Sequence, residues 1–111
     1  MSKYGNRKTM TMDGVLHDSQ KEANRWAELK LLERVGLIKD LRRQVEYELI
    51  PAQYVDGKCV ERAVKYKADF VYHSVDLNQM VVEDTKGMRT KDYIIKRKLM
   101  LWVHRIRIKE I

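Results

Sequence analysis

Val64-Lys65-Tyr66-Lys67-Ala68-Asp69-Phe70-Val71-Tyr72, followed by Met80-Val81-Val82-Glu83-Asp84-Thr85-Lys86-Gly87, decides the fold of this chain. Both runs are rich in β-branched and aromatic residues, and the second closes on a glycine, so each reads as a strand. Between them Asp76-Leu77-Asn78-Gln79 supplies the Asp and Asn that favour a turn, which predicts an antiparallel hairpin. Side chains alternate along a strand, placing Val82, Asp84 and Lys86 on one face and Val81, Glu83 and Thr85 on the other. By the same rule Val64, Tyr66, Ala68, Phe70 and Tyr72 share a face, and Asp69 takes the opposite one. The hairpin brings Asp69 into the neighbourhood of Asp84, and Lys86 follows Asp84 at roughly 7 Å along the backbone.

Two hard carboxylates that leave coordination positions open to water and phosphate describe a magnesium site rather than a zinc site. A lysine beside such an ion can hold and polarise an attacking water and offset charge developing on a phosphate. His17, His73, His104 and Cys59 have no metal-ligand spacing among themselves, so structural or surface roles are expected for the histidines.

Working outward, the Ser19 and Glu22 pair has the spacing of a capping box and Gly36 provides a stop, predicting a helix from Ser19 to Val35. Asp40 to Ile50 alternates as a strand that Pro51 breaks, and Asp56-Gly57 marks the next turn. Thr90 is expected to cap a second helix reaching His104, and Arg105 to Ile111 alternates as a last strand. In the second helix Ile94, Ile95, Leu99, Leu101, Trp102 and Val103 form a broad apolar face expected to pack on the sheet. Lys96, Arg97 and His104 fall on the opposite arc, and Lys98 nearer the apolar side, where it is expected to snorkel. The resulting order is α-β-β-β-α-β, a mixed four-stranded sheet flanked by helices in an α/β domain spanning residues 17–111. Residues 1–16 show no apolar period and read as a flexible basic arm.

The 111 residues allow one domain, and 44% apolar with 35% charged residues fits a soluble globular chain. No stretch approaches the ~20 apolar residues that cross a bilayer, so no membrane partner is expected. The N-terminus carries no apolar core of signal-peptide type, and a single cysteine excludes an intrachain disulfide, so a reducing cytoplasm is the expected location. The net charge of +7 is concentrated at one end. Residues 1–85 carry 14 basic and 14 acidic side chains, whereas residues 86–111 carry 9 basic and 2 acidic. That excess begins at Lys86 and suits a phosphate-binding surface, with Arg89, Lys91, Lys96, Arg97 and Lys98 as the candidate DNA contacts; a solvated helix face is the plainer alternative.

The acid-acid-lysine pattern resembles the PD-(D/E)xK nuclease superfamily, with Ala68-Asp69 as its first half and Asp84-Thr85-Lys86 as its second. The resemblance runs from about His17 to Ile111. Ser19-Gln20-Lys21-Glu22, Gln44, Ala68-Asp69-Phe70, Val82 to Gly87 and Lys96-Arg97-Lys98-Leu99 together look like a small phage and prophage family placed there, and more distantly like the archaeal Holliday junction resolvases. Ala68 stands where the motif is named for proline. Asp84 replaces the commoner glutamate, which makes Glu83 a rival ligand; Asp84 is preferred because it shares a face with Lys86, unless a bulge intervenes.

The resemblance implies a restriction-endonuclease-like core and a metal-dependent, structure-selective DNA endonuclease, a Holliday junction resolvase of phage origin in a host cytoplasm. It implies magnesium, with manganese as its substitute, held by Asp69, Asp84 and the Thr85 carbonyl. Lys86 would act on the water, and no small-molecule cofactor is needed. Glu22 would be a third acid, as in similar resolvases, or only a helix cap, and Gln44 matches a glutamine of the family. Branched or duplex DNA is the implied substrate and a homodimer the implied active species, because symmetric junctions need two cuts. A nicking, mismatch or flap endonuclease would use the same residues. From another class, a non-catalytic basic DNA-binding module or phage assembly partner would bind without cutting.

Overall fold

The computed structural model describes residues 8–85 and 89–111. Its elements in chain order are β1 (Thr9–Met10), β2 (Leu16–His17), α1 (Gln20–Arg34), β3 (Ile38–Ile50), β4 (Gln53–Val55), β5 (Lys58–Glu61), β6 (Val64–Ser74), β7 (Gln79–Asp84), α2 (Lys91–His104) and β8 (Lys109–Glu110). Strands β3, β6, β7 and β8 form one mixed sheet in the spatial order β3-β6-β7-β8. With α1 before β3 and α2 between β7 and β8, the core follows the expected order α-β-β-β-α-β. Two compact units make up the chain, one drawn from Met1–Arg42 with Tyr72–Val81 and the other from Arg43–Val71 with Val82–Ile111.

In the first unit α1 begins where its cap requires. The Ser19 hydroxyl accepts from the Glu22 amide at 3.1 Å, satisfying one of the orphan donors of the first turn. It ends in a Schellman motif, in which the Gly36 amide donates to the Glu33 carbonyl (3.1 Å) and the Leu37 amide to the Leu32 carbonyl (3.0 Å). Gly36 sits at φ +84°, a conformation that costs other residues sterically. Glu22, Ala23, Trp26 and Leu29 are its buried residues, a stripe at helical spacing.

Of the flexible basic arm expected over residues 1–16, residues 1–7 lie outside the described residues, and the expectation is corrected over residues 9–16, where the chain forms the β1–β2 hairpin, with Thr9 opposite His17 and Met10 opposite Leu16. Local hydrogen bonding explains it. Asp13 accepts from the Val15 amide (3.1 Å), from the Thr11 hydroxyl and from the Trp26 indole Nε1 (2.6 Å), tying the hairpin to α1.

In the second unit one cluster joins Leu49, Tyr66, Ala68, Val71, Val82, Tyr93, Met100 and Ile108, so residues of β3, β6, β7, α2 and the approach to β8 share one core. The expected face of β6 is the buried one: Tyr66, Ala68, Phe70 and Tyr72 are buried and Val64 is half-buried. Tyr66 and Ala68 belong to the cluster, but so does Val71, whereas Phe70 does not. Val71 is buried as well, so the opposite face of β6 is covered there too, two residues beyond the half-buried Asp69. Strand β3 carries two left-handed residues, Asp40 (φ 56°) and Gln44 (φ 54°), and alternates cleanly only from Val45 to Leu49.

Asp56 and Gly57 both have positive φ (51° and 78°), the signature of a type I′ turn, and join β4 to β5 in a separate two-stranded ribbon. The last strand is shorter than expected. Arg105 takes a left-handed cap (φ 60°) after α2, and β7 ends at Asp84, so only Lys109 and Glu110 find parallel partners in Glu83 and Asp84. The Thr90 hydroxyl caps α2 by accepting from the Tyr93 amide (3.1 Å). The expected apolar face of α2 is corrected: its buried residues are Tyr93 and Met100, which lie outside that face, whereas Ile94 and Leu99 are half-buried and Ile95, Leu101, Trp102 and Val103 are exposed.

Candidate active site and nucleic-acid interface

The site grows from the middle of β6 and the end of its neighbour β7. Asp69 lies midway along β6, where its Oδ2 accepts from both the Thr85 amide (2.7 Å) and the Thr85 hydroxyl (2.8 Å). One residue before Thr85, Asp84 is 1% exposed, and its Oδ2 accepts from the Tyr66 hydroxyl at 2.6 Å. These bonds bring the two acids expected from sequence into one locality on β6 and β7, and each is oriented by a hydroxyl donor. Charge-assisted hydrogen bonds of this length are the stronger kind. Burial first, then the hydrogen bond to Asp84 and its charge, with a smaller contribution from Asp69, push the Tyr66 hydroxyl far above the usual phenol range. Tyr66 therefore remains a neutral donor throughout the working pH range.

Glu83, the rival acid, is fully buried and precedes Asp84 on the same strand, opposite Lys109 on β8. Successive strand residues project to opposite faces, and Asp84 is the one bonded to Tyr66 in the cluster containing Tyr93 and Met100. Lys86 lies outside the described residues. Glu22, in the first unit, accepts at Oε2 from the Asp18 amide (3.2 Å), one residue before the Ser19 amide that the capping box predicts. With Ser19 extended (φ −150°, ψ 162°), the carboxylate reaches the amide further out. Gln44 is half-buried at its left-handed position on β3, a backbone feature that alternation does not foresee.

Beyond Asp84 the second unit turns cationic. Arg89, Arg97, Lys98 and Arg107 line a groove of about 660 Å³ together with Leu101, Ile108 and Glu110. Of the candidate DNA contacts, Arg89, Arg97 and Lys98 thus share one groove, while Lys91 and Lys96 lie outside its lining. Lys98, expected to snorkel, is exposed, and Lys96 and Arg97 are half-buried, reversing the expected arcs because the helix packs through Tyr93 and Met100. Arg89 Nη2 contacts Glu110 Oε1 at 2.8 Å, and Arg97 Nη1 contacts Glu110 Oε2 at 3.6 Å. The Tyr93 hydroxyl interacts with the same carboxylate and, with the two arginines, holds Glu110 below the usual carboxylate range. Tyr93 itself is pushed up by burial and then by Glu110.

Sequence reasoning missed Tyr66, the Thr85 hydroxyl, Tyr93, Arg107 and Glu110. A buried tyrosine seeks a polar partner, which was the available signal for Tyr66 and Tyr93. Glu110 had none, because its place beside Asp84 follows from the β7–β8 register.

Among the described residues, no three His, Cys, Asp or Glu side chains converge as a ready-made metal cage. The carboxylates of Asp69 and Asp84 are hard oxygen donors, of the kind that magnesium takes with water completing its shell. Comparison with known families matches residues 1–109 to one described as a protein of unknown function, DUF1064. The chain belongs to that family. No curated protein and no solved structure matches it. No described helix is long and apolar enough to cross a membrane.

Proposed function

We propose that this chain is a metal-dependent, structure-selective DNA endonuclease, a resolvase of branched junctions that acts as a homodimer. The observation that carries the reading is the pair of acids on neighbouring strands, Asp69 and Asp84, each oriented by a donor before any ligand arrives and followed by an arginine-lined groove. Preorganised first ligands held by outer partners are what a divalent-metal site needs, and a cationic groove beside them suits a phosphodiester backbone.

Asp69, Asp84 and the Thr85 carbonyl would hold magnesium, which supplies Lewis-acid stabilisation of a phosphoryl oxygen and a more acidic water. The protein's own contribution is positional. Thr85 and Tyr66 fix the two carboxylates, Lys86 is assigned to holding and activating the attacking water, and the groove cations hold the backbone. Glu22 is assigned its cap to Asp18, and any part it has in the acidic cluster is a proposal from resemblance.

The test incubates purified protein with labelled four-way junction, flap and linear duplex, each with magnesium or chelator, beside Lys86→Ala. Symmetric, metal-dependent junction cuts lost in the variant are expected. Cutting of flaps or plain duplex alone would assign the same site to a different nuclease, and binding without cleavage of any substrate would overturn the enzymatic reading.

A further inference from the structure

The carboxylate of Glu110 occupies the cationic groove in the manner of a phosphate. Four cations line that groove against this one acid, and two of them, Arg89 and Arg97, converge on its two oxygens at 2.8 and 3.6 Å. The side chain of Glu110 is 27% exposed, and those of Arg89 and Arg97 are 61% and 33% exposed, so the cluster opens to solvent and incoming ligand. Its placement is fixed by the sheet. Glu110 is the parallel partner of Asp84, and the Ile111 amide donates to the Asp84 carbonyl at 2.9 Å, so the groove borders the strand that carries the acid.

We propose that the groove is a binding site for a nucleic-acid backbone phosphate, self-neutralised by Glu110, which the phosphate displaces from Arg89 and Arg97. Planar guanidinium groups pair with carboxylate and phosphate in the same forked geometry, so one anion can replace the other without rebuilding the site. An exposed ion pair of this kind is weak enough to give way. Glu110 therefore sets a threshold: it lowers affinity for weakly placed backbone and leaves Arg107 and Lys98 to make the first contact. The identity of the polyanion as DNA rests on the reading above, whereas the exchange of Glu110 for phosphate rests on the groove alone.

The test measures binding of a short labelled DNA duplex by anisotropy in chelator, across a salt series, so that cleavage plays no part. Glu110→Gln is expected to tighten binding about three- to tenfold at low salt and to steepen the log-log salt slope by about one, because the groove then brings one more uncompensated positive charge to the duplex. In an Arg89→Ala/Arg97→Ala background the same substitution is expected to change nothing. Unchanged affinity and slope for folded Glu110→Gln would overturn the proposal, as would an equal gain in the doubly truncated background. Should Glu110→Gln fail to fold, Arg107→Ala decides: weaker binding with a slope shallower by about one supports the groove, and unaltered binding overturns it. Competition by inorganic phosphate at matched ionic strength separates sources; displacement of the duplex by millimolar phosphate would assign the site to the free ion and overturn the backbone assignment. Absent cleavage alongside a tightened Glu110→Gln would sink the nuclease reading while leaving this one standing.

Discussion

The Tyr66 hydroxyl donates to Asp84 Oδ2 at 2.6 Å across eighteen residues of sequence, tying β6 to the end of β7 inside the core of the second unit. A buried carboxylate without such a donor would carry a desolvation cost. Tyr66→Phe keeps the ring and removes the donor, so it is expected to lower unfolding stability by about 1–3 kcal/mol, measured by urea denaturation. On the proposed function, cleavage falls on the order of 10–100-fold with metal affinity, while duplex binding in chelator is unchanged.

Thr85 gives Asp69 both its amide and its hydroxyl. Thr85→Val retains the amide alone and is expected to cost roughly 1 kcal/mol of stability, with Thr85→Ser restoring it. Equal stability of Val and Ser variants would show that the amide alone positions Asp69.

Asp13 makes the fold of the first unit sensitive to acid. Its hydrogen bond from Thr11, then that from the Trp26 indole, lowers its pKa from 3.8 to about 2. A carboxylate depressed on folding contributes stability above its unfolded value and loses it as pH falls through the folded one. Thermal stability is therefore expected to decline between pH 3.8 and about 2, with Trp26 fluorescence changing over the same window. Asp13→Asn removes that part of the decline; an unaltered acid limb in the variant would assign it to other carboxylates.

Gly36 ends α1 at φ +84°, and a Cβ built there meets nothing within 4 Å. The cost of Gly36→Ala is accordingly backbone strain alone, about 1–2 kcal/mol by denaturation, and Gly36→Asn is expected to cost less.

Periodicity and turn chemistry made most of the fold legible. Ser19, Gly36, Asp56-Gly57 and Thr90 act within a few residues of themselves, so their caps and turns stand where sequence places them. Asp69 and Asp84 were legible as a pair because a short turn forces their strands together. The burial of Val71 was not, since it depends on what covers the second face of β6 and not on alternation.

The sequence by itself determined the element order, the acid pair and the cationic C-terminal quarter, because alternation, capping and charge are local properties of neighbouring residues. Only the tertiary structure decided that Tyr66 holds Asp84, that Thr85 holds Asp69, and that Glu110 lies between Arg89 and Arg97. Each of those partnerships depends on strand register and helix rotation, which are settled by packing side chains from distant parts of the chain into one core, and no local pattern encodes that outcome.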